Sequence, residues 1–386
     1  MTSLELRNVT IGSPRTGLLL DDVSLFVADG ATVALVGPPG AGTTALLRAV
    51  IGLDPVTEGD VLLDDTVVTS LGPRDRDVAA VLQDHPLHPH LDVHDNLAFA
   101  SRLRRGTDRE ELAERIDEVA ETLALENLLD LRIKELDEPQ RQRVAIGRAL
   151  VRDATLHLFD EAFAAQPERV RAHVRSVTTA WQAEQGRTSV FTTHDPAEAL
   201  TLADQVVVMH RGVVHQSGTP EQVYREPADV FVAGFVGAPT MNLLPARRVE
   251  DQLVTPVATI LVDEAMSAAL AGRDEVVVGV RPDHWHDASS AQGRDVRDRV
   301  EFTSVIEEVE WRGGSQLVLV GFDLDEDVED RLADLEDAFE LDLFQTFCVA
   351  ELPAEPRKRA GQSVRLVADR SDVHLFDLET GERIAR

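Results

Sequence analysis

An α/β domain built on a largely parallel sheet, followed by a small all-β domain, is what this 386-residue sequence predicts. Three observations carry that expectation. Up to about residue 235, short apolar strand-like runs alternate with helical segments, as in parallel sheets. A glycine-rich loop, Gly37-Pro38-Pro39-Gly40-Ala41-Gly42-Thr43-Thr44, joins one such run to a helical one. From about residue 236 the chain becomes a series of short strand-like runs separated by Gly and Asp, which suits a barrel.

Taken in order, Leu18–Val27 reads as strand and Asp29-Gly30 as a turn. Thr32–Val36 is a buried strand leading into the glycine-rich loop, and Ala45–Ile51 continues as helix. Between about 84 and 156 the pattern is helical and highly charged, notably Arg109–Leu129, which predicts a helical subdomain. Thr155–Glu161 is a buried-strand pattern ending in two carboxylates, Thr188–His194 is another strand and Gln205–Met209 a third. Beyond residue 236, strands are expected at Glu275–Val280, Val300–Glu308, Gln316–Val320, Ser363–Ala368 and Val373–Phe376. The stretch 323–342 places eleven carboxylates among twenty residues and reads as a solvated acidic insertion. Its leucines at 332, 335 and 341 could line a short helix.

Composition excludes several roles. A net charge of −31 argues against nucleic acid as partner, since phosphate backbones call for basic patches. It argues equally against a general electrostatic hold on anionic lipid. A single cysteine, Cys348, rules out an internal disulfide and suits a reducing compartment. The N-terminal residues show no signal-peptide pattern, and no apolar run is long enough to span a bilayer. Lys134 and Lys358 are the only lysines.

The chemistry sits at strand ends. In a loop such as Gly37–Thr44, backbone N–H groups and the helix N-terminus hold phosphates, which points to a nucleotide. Gly37, Gly40, Ala41, Gly42, Thr43 and Thr44 are the expected binding residues, with the Thr44 hydroxyl placed to hold Mg²⁺. The lysine that would reach the β- and γ-phosphates is absent; Thr43 stands there, neutral and short. Asp160 and Glu161 close an apolar strand, where a carboxylate for the metal and a water-activating base belong. Gln83 and His194 end two other strands, Gln83 as a ligand to metal and water and His194 as a clamp on the γ-phosphate. His85, His88, His90 and His94 could suggest a metal site; structural or docking histidines are favoured, and His157 reads as a satisfied core histidine.

Together with Gln83–Leu91, Gln140–Leu150, Thr193–Asp195, Glu198–Asp204, Gly218–Pro220, Phe231–Gly237, Gly279–His284 and Val373–Asp377, these motifs resemble the nucleotide-binding subunit of an ABC transporter of the maltose-type, carbohydrate-importing branch. The resemblance covers nearly the whole chain apart from the acidic insertion. It implies a P-loop NTPase domain of ABC type (1–235, helical subdomain about 84–156) and an OB-like regulatory barrel (236–386). It also implies ATP and Mg²⁺ as cofactors, with the metal on Thr44, Gln83 and Asp160 and with Glu161, His194 and Gln83 as catalytic residues. The implied partners are a second ABC subunit, completing each ATP site through its signature motif, and transmembrane permease subunits docking near the Gln83 loop. The implied location is the cytoplasmic face of the membrane.

Four positions depart from that family. Thr43 replaces the P-loop lysine, and Pro167 replaces the aspartate after the catalytic glutamate. Ile11-Gly12-Ser13 offers no aromatic to stack on adenine. The signature Leu-Ser-Gly-Gly-Gln is Leu136-Asp137-Glu138-Pro139-Gln140, so the residues offered in trans are Asp137, Glu138, Pro139 and Gln140. Carboxylates here oppose closure on ATP, because two like charges about 4 Å apart repel by roughly 4 kcal/mol at an effective dielectric of 20. Asp137 can still cap the helix, with Gln140 as its capping-box partner. The sequence therefore predicts an importer ATP-binding subunit with impaired hydrolysis. The alternative is a non-hydrolysing degenerate cassette that regulates or pairs with an intact one.

Overall fold

The computed structural model describes residues 2–13, 17–84, 86–102, 108–164, 166–289, 299–324, 326–339 and 342–384. These residues form two compact units, Met1–Gln222 and Val223–Arg386.

In chain order the first unit contains strands β1 (Leu4–Ser13), β2 (Gly17–Val27) and β3 (Thr32–Val36), helix α1 (Thr43–Ile51), and strands β4 (Glu58–Leu63), β5 (Thr66–Val67) and β6 (Val78–Val81). Helices α2 (Val93–Arg102), α3 (Arg109–Thr122) and α4 (Glu138–Val151) follow. The unit closes with β7 (Leu156–Phe159), α5 (Glu168–Glu184), β8 (Thr188–Thr193), α6 (Pro196–Leu202), β9 (Gln205–His210) and β10 (Val213–Gly218). The central sheet runs β10-β9-β3-β8-β7-β6 and is parallel except for the β9–β10 hairpin. Strands β3, β7 and β8 are buried along their whole length. Strand β3 is nearly all apolar without alternation, whereas β8 is rich in hydroxyls that are buried in hydrogen bonds, Thr188 to Thr2 O and Thr192 to Asp160 among them. A second, antiparallel sheet orders β2-β1-β4-β5. Leu4, Leu6 and Leu20 of that sheet share a core with Leu35, Leu46, Leu47 and Val207.

Helix α1 carries a built-in stop. Gly52 ends it in the left-handed conformation (φ 84°), its N–H bonded to the carbonyls of Arg48 and Ala49. Beyond that cap lies a buried cation. Arg76, 4% exposed, donates to Ala49 O at 2.6 Å, Val50 O at 2.9 Å, Leu71 O at 2.8 Å and Thr69 O at 2.8 Å. A positive charge at the helix C-terminus satisfies orphan carbonyls and opposes the negative end of the helix dipole.

The second unit begins with α7 (Pro220–Arg225, which straddles the division) and α8 (Val230–Phe235). Strands β11 (Asn242–Val249), β12 (Gln252–Val254), β13 (Thr259–Leu261), β14 (Glu275–Val280) and β21 (His374–Asp377) form a sheet ordered β13-β12-β11-β14-β21, with α9 (Glu264–Leu270) after β13. Two three-stranded sheets join β15 (His286–Asp287), β20 (Ser363–Asp369) and β16 (Arg299–Val305), and β17 (Glu308–Trp311), β18 (Ser315–Gly321) and β19 (Phe347–Pro353). The run expected as one strand at Val300–Glu308 is thus divided between β16 and β17, with Ile306 turned into the core. Arg281, 1% exposed, fastens α7 and α8 to the end of β14. It donates to the carbonyls of Tyr224 (2.8 Å), Ala233 (3.2 Å) and Val236 and stacks 4.3 Å above the Tyr224 ring. Burial pushes this guanidinium down to about 10.

The acidic stretch is a packed element, which corrects the expectation of a solvated insertion. Glu326–Phe339 is helix α10, and its Leu332 and Leu335 are buried with Val230, Ala233, Leu243 and Val277. Carboxylates occupy the outward positions while leucines at i and i+3 spacing supply an apolar face. Leu341 lies outside the described residues. Among the described residues, no helix is long and apolar enough to cross a membrane.

His157 is a core histidine. It is 1% exposed on β7, its Nε2 donates to Ala149 O at 3.1 Å, and burial pushes the imidazole down to about 4. The folded chain therefore favours the neutral ring, so its contribution is intact above the ordinary histidine range and is lost as pH falls from about 6.5 towards 4. Urea unfolding across that window should show a loss of about 3 kcal/mol in the wild type that His157→Phe does not share. Arg76→Met should lower the first unit's unfolding free energy by about 3 kcal/mol, and Arg76→Lys should not fully restore it, because an ammonium lacks the planar fork.

Candidate functional site

The predicted nucleotide residues converge at the carboxyl ends of β3, β6, β7 and β8, where open α/β sheets bind ligands. The glycine-rich loop leaves β3 and turns into α1. Two of its glycines are sterically required. A Cβ on Gly37 would lie 2.2 Å from Met209 O, and one on Gly42 would lie 2.8 Å from Leu19 O in a backbone already at φ +100°. Gly42 caps α1 without a side-chain hydrogen bond, so the first N–H groups of the helix face the loop. The loop is braced by Ala41 N–H to Pro38 O at 3.0 Å and Gly212 N–H to Ala41 O at 2.9 Å. It borders an open cleft of about 840 Å³ lined by Gly37, Gly40, Gly42, Thr43, Thr44 and, from other strands, Glu161 and His194.

The carboxylates are held with little freedom. Asp160, 3% exposed, accepts at Oδ1 from both Thr44 Oγ1 and Thr192 Oγ1, each at 2.9 Å. Glu161 donates its backbone N–H to Thr192 Oγ1 at 2.9 Å and sits at φ 45°. That left-handed backbone costs on the order of 1–3 kcal/mol for a non-glycine residue, the kind of strain that collects at functional sites. Gln83 Nε2 donates to Glu161 Oε2 at 3.1 Å, and His194 Nδ1 lies 4.0 Å from Glu161 Oε1, beyond hydrogen-bond range. The end of β8 is anchored separately. Thr193 Oγ1 donates to Glu198 Oε2 at 2.6 Å, and Glu198 is also ion-paired with Arg175.

Asp137, Glu138, Pro139 and Gln140 do not line this cleft; they start α4. Asp137 accepts the Gln140 N–H at 2.8 Å, and Gln140 Oε1 accepts the Asp137 N–H at 2.9 Å, so the capping box is complete. Arg141 adds bonds to Leu136 O at 3.1 and 2.9 Å and reaches Glu138 at 3.4 Å. Buried Gln166 ties the segment after Glu161 to this helix, donating to Pro139 O at 2.8 Å and Gln142 Oε1 at 2.9 Å. Pro167 precedes α5 with no side-chain cap.

Several cleft residues escaped the sequence reading. Leu18 and Leu19 present apolar surface to the cleft, in the part of the chain where no aromatic was found. Their exposure has no signature, because Leu18-Leu19-Leu20 is an unbroken apolar run of which only Leu20 is buried. Arg48, Asp54 and Arg211 also line it, and Arg48 is gripped by Asp54 through two bonds of 2.8 and 3.0 Å. Of the suspected histidines, His85 lies outside the described residues, while His88 packs on Phe99 with ring centres 4.0 Å apart. Asp92, His94 and Asp95 bring potential ligand atoms within 4.8 Å of one another, but Asp95 is already paired with Arg102 at 2.6 Å.

Residues 20–164 match the sequence model of the ABC transporter, and residues 237–285 that of the MalK OB fold domain. The whole chain is 35% identical to the trehalose import ATP-binding protein SugC of Mycobacterium tuberculosis, over 100% of this chain and 98% of that protein. This chain belongs to the ABC transporter ATP-binding subunits, in the maltose-type carbohydrate-importer branch. The chain is also 37% identical to the sn-glycerol-3-phosphate import ATP-binding protein UgpC of Cereibacter sphaeroides, covering 95% of each chain. Among solved structures, the dimeric ABC transporter cassette MJ0796 aligns with a TM-score of 0.52 and 26% identity over 56% of this chain and 98% of that one.

The reciprocal cap on α4 yields a direct test. Asp137→Ala should cost about 1 kcal/mol in chemical denaturation, whereas Asp137→Ser should hold stability within a few tenths.

Proposed function

We propose that this cassette is the ATP-binding subunit of an importer, for a sugar or a related carbohydrate, and that its hydrolysis is impaired. One observation carries the reading: the glycine loop opening α1, Thr44 and Glu161 line one cleft, Thr44 bonded to buried Asp160 and Glu161 to Gln83, while Thr43 occupies the place of the lysine. The relatives' names, import ATP-binding proteins for trehalose and sn-glycerol-3-phosphate, support the transport role.

The residues present fit the cofactors. The Gly42–Thr44 N–H groups suit phosphate oxygens, and Thr44, Asp160 and Gln83 offer the hard oxygen donors that Mg²⁺ takes. Bound there, Mg²⁺ would offset charge on the β- and γ-phosphates. Glu161 would orient and polarise water, and His194 would hydrogen-bond the γ-phosphate. Because Asp137–Gln140 lie away from the cleft, a second cassette must bring its own signature to complete the site. Permease subunits docking beside the Gln83 loop would place the chain peripherally on the cytoplasmic face of the membrane. Residues 1–235 would handle nucleotide and 236–386 regulation.

The same geometry favours a second reading. The α4 start is intact as a helix but acidic, and Thr43 is neutral, so the chain could serve as a non-hydrolysing cassette paired with an intact one. Mg-ATP turnover by the wild type beside Thr43→Lys and Glu161→Gln separates the two. Impaired hydrolysis predicts weak turnover that rises roughly 10²-fold with Thr43→Lys and disappears with Glu161→Gln. Rapid wild-type turnover abolished by Glu161→Gln would overturn the impairment. ATP binding without turnover in either the wild type or Thr43→Lys would make the regulatory reading the leading one.

A further inference from the structure

We propose that Arg211 supplies the nucleotide's phosphate chain with the positive charge that Thr43 cannot. The proposal rests on the reading of the cleft as an ATP site. Arg211 lines that cleft, on the two-residue hairpin Arg211-Gly212 that joins β9 to β10 through the pair His210 and Val213. This hairpin is built into the glycine loop. Gly212 donates its N–H to Ala41 O at 2.9 Å, and Met209 O lies where a Gly37 side chain would begin. A Cβ on Gly42 would sit 3.1 Å from the Gly212 Cα. The turn therefore abuts Gly42, the residue immediately before Thr43, and its arginine lines the same cleft.

The backbone marks the residue independently. Arg211 has φ 50° and Gly212 φ 81°, the left-handed pair of a type I′ hairpin. Asn-Gly is the favoured sequence for that turn, and a bulky arginine at its first position costs the fold stability. Such an outlier motivates a functional hypothesis. A guanidinium on phosphate makes short, charge-assisted hydrogen bonds that do not need a lysine's position.

The functional and structural roles of Arg211 predict opposite outcomes in Arg211→Asn. Calorimetric titration of the full chain with Mg-ATP and with adenosine, together with apo thermal unfolding, reads both. Arg211→Asn should weaken Mg-ATP binding about tenfold, leave adenosine binding unchanged and raise or hold the melting temperature. Arg211→Lys should lose less, and Thr43→Lys added to Arg211→Asn should recover most of the loss. Wild-type affinity for Mg-ATP in Arg211→Asn, or an equal loss for adenosine, overturns the proposal for Arg211 alone. A wild type that binds no Mg-ATP overturns it together with the nucleotide reading.

Discussion

One carboxylate oxygen organises this site. Asp160 Oδ1 accepts from Thr44 on the first turn of α1 and from Thr192 on β8, and Thr192 in turn receives the Glu161 N–H. Two strand ends and one helix are thereby joined through two hydroxyls and a buried charge. Such an arrangement is favourable only while every donor stays in place, since an unpaired buried carboxylate is costly. The glycine loop, Thr44, Asp160 and Glu161 are consequently fixed in their spacing by the fold itself.

The network also shows why a threonine at position 43 is compatible with this fold. Thr43 takes no part in it, and α1 is secured at its far end by Gly52 and by Arg76 bonded to Ala49 and Val50. The backbone geometry of this loop is therefore set independently of the charge carried at position 43.

Local features were the legible ones. The glycine loop, the Asp160-Glu161 pair at a strand end and the cap between Asp137 and Gln140 each lie within a few consecutive residues, so their physics is written in a short window. Long-range partners were not. Arg76 reaches carbonyls 26 and 27 residues away, and Arg281 reaches one 57 away, contacts that no spacing rule announces. The acidic helix misled for another reason: charge density dominated the reading, while Leu332 and Leu335 decided the packing. The cleft residues Leu18, Leu19 and Arg211 depended on which strands lie side by side, and that is a property of topology.

The Asp137–Gln140 cap closes within four residues and asks nothing of a nucleotide or of another chain. Its helix start can therefore vary at Glu138 and Pro139 without exposing apolar surface to the cell's proteolytic surveillance.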